Sequence, residues 1–173
     1  VDDINNPERV MAFAKEVGCS TAFIGPENPL SEGVADFLDK HGLNVIGPKK
    51  ELAQIETSKS FTRNLQEEFK IPGAPQYQTF NSMVGVKNFL KELGNEFVVK
   101  FDGLAGGKGV KVSGEHLKSY KDALEYCEEL TLSGGRFVVE EKFIGEEFSL
   151  MSFCDGNTLK HMPAVQDHKR AYE

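Results

Sequence analysis

The sequence predicts two architectures in one chain, a parallel α/β unit followed by an α+β unit, on three observations. Helical and strand patterns alternate between residues 7 and 46 in the order helix, strand, helix, strand, which is typical of a parallel sheet. Residues 71–75 read Ile-Pro-Gly-Ala-Pro, a composition that excludes a helix and indicates a linker. Residues 97–112 combine a strand pattern, a glycine-rich turn and a second strand pattern, which predicts an antiparallel hairpin.

The length and composition of the chain argue against several classes of function. The 173 residues suffice for one or two small domains. The formal net charge of -7 argues against a general nucleic-acid binder. The chain has no signal-peptide pattern and no apolar run of roughly 20 residues, which argues against a membrane partner. The three cysteines and four histidines are not clustered, so we expect free thiols in a reducing, cytoplasmic compartment and assign no metal ligand.

The first predicted unit, residues 1–48, has the pattern of a parallel sheet with helices. Its predicted elements are a helix that Asn6 caps and Gly18 ends, strand 21–24, a helix that Ser31 caps and Gly42 ends, and strand 43–46. After the first strand we expect a loop, Gly25-Pro26-Glu27-Asn28-Pro29-Leu30. Ligands of parallel sheets gather at the carboxyl ends of the strands, so this loop and Gly47-Pro48 are candidate ligand contacts.

The remaining chain is predicted to contain three further parts. Residues 49–75 are expected to form helices and a linker, with Ser58 as the cap of the second helix. Residues 76–142 are expected to form a β-α-β-β-α-β unit, and residues 143–173 begin another unit. The elements expected after residue 75 are strand 76–79, a helix that Ser82 caps, the hairpin, helix 115–130, and strands 136–143, 147–153 and 158–162.

The hairpin at residues 97–112 has the pattern of a phosphate-binding loop. Four glycines fall within residues 103–109, which indicates a backbone that approaches something closely. Lys100 and Lys108 flank exposed N–H groups, a combination that suits a polyphosphate, whereas the alternative is a plain mobile loop. A Walker A loop is excluded because Gly109 follows Lys108, and a dinucleotide fingerprint is excluded because the chain continues as strand. A glycine-rich flap between antiparallel strands remains.

Three charged segments have both a structural and a functional interpretation. Lys100 is either an edge-strand lysine that discourages aggregation or a cation directed into a pocket, and its place before the glycines favours the pocket. The acidic bend at residues 140–147 is either a solvated turn or a binder of ribose hydroxyls. The run Gln-Asp-His-Lys-Arg at residues 166–170 is either a solvated loop or an anion-binding loop.

Together these motifs resemble the phosphoribosylamine–glycine ligase family of the ATP-grasp superfamily. The matching segments follow the family's order and cover most of the chain, at residues 25–30, 47–48, 58–61, 98–110, 140–149 and 166–170. The flap and the double-Glu strand are shared by many ATP-grasp enzymes, whereas the first and last of these segments are more specific to this ligase family. The resemblance implies an ATP-grasp fold preceded by part of a parallel α/β domain.

The resemblance also implies a role for residues in each segment. Lys59 and Lys100 are similar to the two lysines that hold ATP phosphates, and the flap is similar to the one that covers the β- and γ-phosphates. The implied nucleotide contacts are Lys59, Lys100, Gly103, Gly106, Gly107, Lys108 and Gly109, with Glu140, Glu141 and Phe143 along adenine and Glu147 at the ribose. The implied substrate contacts are Gly25, Pro26, Glu27, Asp167 and Lys169. The implied catalytic residues are Lys100, Lys108, His168 and Arg170.

The reaction implied by the resemblance joins glycine to 5-phosphoribosylamine in purine biosynthesis, with ATP cleaved to ADP and phosphate. It implies ATP with Mg2+ or Mn2+, small-molecule substrates, no nucleic-acid or membrane partner, and a monomer or weak homodimer. The chain begins with Val1 and lacks the family's first strand, its later substrate loop and its magnesium ligands. We therefore expect a fragment that lacks both ends, is incomplete as a catalyst and has its metal ligands elsewhere. The alternatives are another ATP-grasp carboxylate–amine ligase and a non-catalytic nucleotide-binding fragment.

Overall fold

A computed structural model describes residues 1–106 and 108–166 of the chain. The chain divides into two compact units, Val1–Lys142 and a smaller one that starts at Phe143. Cys19, Cys127 and Cys154 are free thiols, as the sequence predicted. Within the described ranges, no helix is both long and apolar enough to cross a membrane.

The N-terminal part of the larger unit contains the predicted parallel strand pair. Its elements are α1 (Pro7–Glu16), β1 (Thr21–Phe23), α2 (Glu27–Ser31), α3 (Val34–Lys40) and β2 (Asn44–Ile46). Strands β1 and β2 run parallel, with Ala22 opposite Val45. Met11 of α1 packs with Val34 and Leu38 of α3 in a small core against these strands. The helix–strand alternation of the sequence is therefore confirmed.

The segment after β1 differs from its prediction as a loop, because residues 27–31 form the short helix α2. Pro29 is tolerated there because it lies in the first turn, where a helix has no partner for its N–H groups. The predicted cap at Ser31 is wrong. The Ser31 hydroxyl donates to the carbonyl of Asn28, 2.8 Å away, and α3 instead begins after Gly33, whose φ of +80° favours glycine.

Two helices, α4 (Lys50–Thr57) and α5 (Lys59–Glu68), follow the first sheet. Ser58 separates them and caps α5, since its hydroxyl accepts the N–H of Phe61 at 3.2 Å. The predicted helix break and cap are confirmed. Residues 71–76 then form neither helix nor strand, as expected for the linker.

The next part is a four-stranded antiparallel sheet with two helices. Its elements are β3 (Tyr77–Phe80), α6 (Val86–Leu93), β4 (Phe97–Phe101), β5 (Val110–Val112), α7 (Tyr120–Leu132) and β6 (Phe137–Glu141). The strand order is β3-β6-β4-β5, and all neighbours are antiparallel. The predicted β-α-β-β-α-β order and the hairpin at residues 97–112 are both confirmed.

Both faces of this sheet are covered at its two central strands. On one face, Val99 and Val139 pack with residues of α6 and α7, including Leu90 and Cys127. Side chains alternate along a strand, so Val98, Lys100, Val138 and Glu140 lie on the other face. Helix α5 approaches that face. This double burial explains why residues 138–141 show no regular apolar alternation.

Two helix starts in this part differ from their predictions. The cap of α6 is Gly85, at φ +84°, rather than Ser82. A positive φ at that turn suits glycine, and it overrides the usual preference for a serine cap. Helix α7 begins at Tyr120 instead of residue 115 because Ser119 and Asp122 form a capping box there.

The described part of the smaller unit, residues 143–166, contains four short strands, β7 (Phe148–Ser149), β8 (Ser152–Cys154), β9 (Leu159–His161) and β10 (Val165–Gln166). The single strand expected at residues 147–153 is two strands, because β7 pairs with β10 while β8 pairs with β9. The predicted turn at Asp155 is confirmed, since its carboxylate accepts the N–H groups of Asn157 and Thr158 at 2.9 and 2.7 Å.

Candidate functional site

Lys100 lies on an interior strand of the sheet. Its strand, β4, pairs with β6 on one side and β5 on the other, so the edge-strand interpretation of this lysine is excluded. The ammonium group forms an ion pair with the Glu140 carboxylate of the neighbouring strand. Lys100 therefore presents its charge to the face of the sheet that α5 approaches.

The Glu140 carboxylate is held from a second direction by Arg63 of α5. Arg63 Nε donates to Oε2 at 2.7 Å, and Nη2 donates to Oε1 at 3.0 Å, which makes the contact bidentate. The Glu140 side chain is only 4% exposed. Burial by itself would raise the pKa of this carboxyl, but the Arg63 hydrogen bonds and the Lys100 charge outweigh it and hold the pKa below its ordinary value.

Asp102 forms a second buried anion site at the end of β4. Its carboxylate accepts the Ser58 hydroxyl at 3.1 Å, the Ser60 N–H at 3.1 Å, the Ser60 hydroxyl at 2.5 Å and Arg136 Nε at 2.5 Å. The Asp102 side chain is fully buried. Burial raises the pKa of Asp102, yet these hydrogen bonds and the Arg136 charge lower it overall. The N-terminus of α5 is thus fixed to the base of the glycine hairpin.

Lys59 is brought to the same hairpin by this docking. Its Nζ donates to the carbonyl oxygen of Gly103, 2.9 Å away. Lys59 is the first residue of α5, directly after the Ser58 cap, so the Asp102 contacts also set its position. The two lysines expected to hold phosphates therefore contact or belong to one hairpin, although they are 41 positions apart in the sequence.

The described glycines of the flap have two different structural causes. A Cβ on Gly103 would lie 2.7 Å from the Phe101 ring, and one on Gly109 would lie 2.9 Å from the Ala105 methyl group. A side chain at either position would force neighbouring atoms to move, because protein atoms already occupy the space. Gly106 has open space around it but a φ of +53°, which favours glycine on backbone grounds. Gly107 lies outside the described residues.

The other predicted nucleotide contacts are distributed over both units. Lys108 is exposed in the flap. The Glu141 carboxylate accepts the N–H of Gln76 at 3.2 Å, so it ties β6 to the start of β3. Phe143 and Glu147 belong to the smaller unit, where both are exposed. Their proposed adenine and ribose contacts stay predictions.

The predicted substrate contacts fall in two places. Gly25, Pro26 and Glu27 follow β1 at its carboxyl end, with Pro26 as the cap of α2 and Glu27 as its first residue. The loop that contains Asp167, His168, Lys169 and Arg170 lies outside the described residues. A substrate role for either segment stays a prediction.

Comparison with protein-family models matches this chain over its whole length. Residues 57–173 match phosphoribosylglycinamide synthetase, ATP-grasp (A) domain, and residues 1–56 match phosphoribosylglycinamide synthetase, N domain.

The chain belongs to the phosphoribosylglycinamide synthetase family.

Curated relatives from methanogenic archaea agree with this family. The chain is 49% identical over 166 residues to a phosphoribosylamine–glycine ligase of Methanosarcina barkeri, covering 96% of the chain and 38% of the relative. It is 45% identical over 170 residues to the ligase of Methanobrevibacter smithii, covering 96% and 39%. The chain thus spans about two fifths of the length of these relatives. The resemblance stated from the sequence motifs is confirmed, including the expectation of a fragment.

Solved structures show that the fold is shared more widely. Phosphoribosylamine–glycine ligase from Thermotoga maritima superposes with a TM-score of 0.76 at 23% identity, over 95% of this chain and 40% of that one. D-alanine–D-alanine ligase from Bacillus anthracis, solved with ATP, gives 0.70 at 20% identity, over 96% and 53%. At these identities the likeness concerns the fold alone. It confirms the predicted ATP-grasp fold with a preceding α/β part.

Two residues that organise the candidate site were missed from the sequence, Arg63 and Asp102. Each pairs with a residue far away in the chain, 77 positions for Arg63 with Glu140 and 42 for Asp102 with Ser60. A signal for Glu140 was present, because a glutamate within a buried strand needs a cation. Which cation it takes depends on how α5 packs, and local patterns do not encode that.

Proposed function

We propose that this chain supplies the ATP-binding part of a ligase that joins glycine to 5-phosphoribosylamine. The observation that carries the proposal is the consecutive match of two domains of one family over residues 1–56 and 57–173. Relatives at 49% and 45% identity are phosphoribosylamine–glycine ligases. Neighbours of the same fold were solved with ATP and with ADP, which supports nucleotide binding by this chain.

The proposed roles of the parts of the chain follow the domain boundaries predicted from the sequence. Residues 1–48 are part of the N-terminal α/β domain, and residues 49–75 lead into the ATP-grasp fold. Residues 76–142 form the lid with the flap, and residues 143–173 begin the larger ATP-grasp subdomain. The proposed enzyme is cytoplasmic and acts as a monomer or weak homodimer.

The proposed reaction proceeds through an acyl phosphate. A carboxylate oxygen of glycine attacks the γ-phosphorus, and the bond to the bridging oxygen of ADP breaks. The amine of 5-phosphoribosylamine then attacks the glycyl carbonyl carbon. Phosphate leaves with the former carboxylate oxygen, and the amine loses a proton. No protein nucleophile is required, so catalysis rests on positioning and on offsetting phosphate charge.

Lys100 and Lys59 are the proposed cations for the phosphates. Lys100 suits this role because its partner Glu140 is already neutralised by Arg63. Lys59 suits it because its ammonium group lies against Gly103 at the start of the flap. The proposed flap at residues 103–109 excludes water, which would otherwise hydrolyse the acyl phosphate.

Magnesium is a separate expectation of the family. Among residues 1–106 and 108–166, no group of three or more His, Cys, Asp or Glu side chains is arranged to hold a metal ion. The two buried carboxylates of this region, Asp102 and Glu140, are engaged by arginines. Both carboxylates are therefore already paired with cations, and we propose that the magnesium ligands lie elsewhere in the full-length protein.

A second candidate function is another carboxylate–amine ligase, which the shared fold with D-alanine–D-alanine ligase favours. ADP release by the full-length protein separates the two. We expect ADP only when glycine and 5-phosphoribosylamine are both present, and not with pairs of D-alanine. ADP release with a different acid and amine, and none with glycine and 5-phosphoribosylamine, would replace the first proposal by the second.

The role of Lys100 is tested in the same assay. Lys100→Ala removes a cation from the phosphates, so we expect turnover to fall by at least 100-fold, or about 3 kcal/mol of transition-state stabilisation. Lys87→Ala is a matched control, because Lys87 is an exposed lysine on α6, which covers the opposite face of the sheet. Equal rates in the two variants would contradict the phosphate role of Lys100.

A further inference from the structure

Arg63, Lys100 and Glu140 form a charge cluster in which cations outnumber anions. Two positive side chains contact one buried carboxylate, so the cluster carries one surplus positive charge. A surplus charge in a mostly buried place is costly unless an anion is available to offset it. The cation that is held less tightly by protein partners is the one that can bind such an anion.

Arg63 is the fixed member of the cluster. Its guanidinium contacts both oxygens of Glu140, at 2.7 and 3.0 Å, and its Nη1 donates to Gln66 Oε1 at 2.7 Å. Three of its five donors are thus directed by partners, and the side chain is 18% exposed. Arg63 alone satisfies the Glu140 carboxylate in the geometry that suits a guanidinium best.

Lys100 is the exchangeable member. Its ammonium has three donors, and the described part of the chain gives it one partner, Glu140 Oε1. That oxygen also accepts a hydrogen bond from Arg63 Nη2, so it keeps a partner if Lys100 turns away. Lys100 has a flexible stem and is the more exposed of the two cations, at 23%.

We propose that Arg63 is a positioning residue that neutralises Glu140 and thereby leaves the Lys100 charge for the phosphates of a nucleotide. This inference rests on the proposed phosphate role of Lys100. Without Arg63, Glu140 and Lys100 would close into a neutral pair, and a phosphate would have to compete with a buried carboxylate for the ammonium. Arg63 itself touches no phosphate in this scheme.

The test is a charge series measured by calorimetric titration of ADP into the full-length protein. Arg63→Met lowers the net charge of the cluster from +1 to 0, and Glu140→Gln raises it to +2. The double variant restores +1. We expect ADP to bind about tenfold more weakly to Arg63→Met and several-fold more tightly to Glu140→Gln, on the scale of one partly buried unit charge. The double variant is expected to return close to the parent affinity.

A merely structural role for the ion pair predicts a different pattern. Both single substitutions break the pair, so both would lower the melting temperature and weaken ADP binding together. The proposal requires opposite effects on ADP from the two partners of one pair. Glutamine at position 140 keeps the backbone groups that the family places along adenine. Arg63→Lys keeps the charge, and we expect it to retain most of the affinity that Arg63→Met loses.

The outcomes distinguish the proposed role of Arg63 from the proposed phosphate role of Lys100. An ADP affinity that rises from Arg63→Met through the parent to Glu140→Gln supports the proposal. If Arg63→Met does not fold, the double variant and Arg63→Lys decide it. Weakening by both single substitutions, or no change in either, would overturn it. Lys100→Ala is the reference arm of the titration. If it also leaves ADP binding unaltered, the phosphate role of Lys100 fails; if it weakens binding while the series shows no such order, only the role of Arg63 fails.

Discussion

Removal of the Asp102 carboxylate is expected to free the N-terminus of α5 from the glycine hairpin. In Asp102→Ala, the N–H of Ser60 and the guanidinium of Arg136 both lose their acceptor. Breaking a buried ion pair by removing one partner costs about 3–5 kcal/mol. The Asp102 side chain is fully buried but that of Arg136 is 56% exposed, so we expect the lower end of that range, about 3 kcal/mol. Asp102→Asn keeps one acceptor oxygen, and we expect a smaller loss of about 2 kcal/mol.

Hydrogen–deuterium exchange of the full-length protein measures this loss locally. The Ser60 amide donates to Asp102 Oδ1 at 3.1 Å, so its protection reports directly on the contact. A loss of about 3 kcal/mol corresponds to roughly 100-fold faster exchange, since each 1.4 kcal/mol is about tenfold. The increase should be confined to residues 58–63 and the base of the hairpin.

Asp122→Ala is the matched control for this experiment. Asp122 also accepts backbone N–H groups beside a serine cap, at 2.8 Å from Lys118 and 3.0 Å from Ser119, but these hydrogen bonds lie at the exposed surface. Water replaces its hydrogen bonds, so we expect a much smaller effect, limited to the start of α7. If Asp102→Ala exchanged no faster at Ser60 than the control does, the carboxylate would not be what holds α5 to the hairpin.

Two further predictions concern pH and the glycines. The pKa of Asp102 is lowered from 3.8, so its contribution to stability is present above that ordinary value and is lost as the pH falls through the lowered one. Acid titration of unfolding should therefore show a steeper loss below about pH 4 in the parent than in Asp102→Asn, and equal slopes would contradict this. Gly109→Val meets the Ala105 methyl group at 2.9 Å and should cost about 1–3 kcal/mol by overpacking, as measured by urea denaturation. Gly106→Ala has open space and only backbone strain at φ +53°, so it should cost about 1 kcal/mol, and the reverse order would refute the packing role of Gly109.

The sequence predicted the fold of the larger unit well because its elements are marked locally. The linker prolines, the strand residues on each side of the flap and the Ser58 cap all act within a few positions. Where the predicted helix starts were wrong, at Ser31 and Ser82, a glycine with positive φ a few residues later begins the helix instead. A serine next to a helix is a common N-cap, but the conformation of the local turn decides which residue becomes the cap.

The candidate site was predicted in part, and the residues that were missed have partners far away in the sequence. Lys100 was expected from its place before the glycines and Lys59 from the family resemblance, and the structure brings both to one hairpin. Arg63 and Asp102 were not predicted, because their roles depend on partners 77 and 42 positions away. The glycines were expected to approach a ligand, yet two of them, Gly103 and Gly109, are required by neighbouring side chains. Pattern alone does not distinguish these two reasons for glycine.

The central claim, ligation through a glycyl phosphate, is tested most directly by oxygen transfer. The full-length protein is incubated with ATP, 5-phosphoribosylamine and glycine that carries 18O in its carboxylate, and the released phosphate is examined by mass spectrometry. The proposed reaction predicts one 18O atom in each phosphate, since the attacking carboxylate oxygen leaves with it. Product formation with unlabelled phosphate would contradict the acyl phosphate and the roles derived from it.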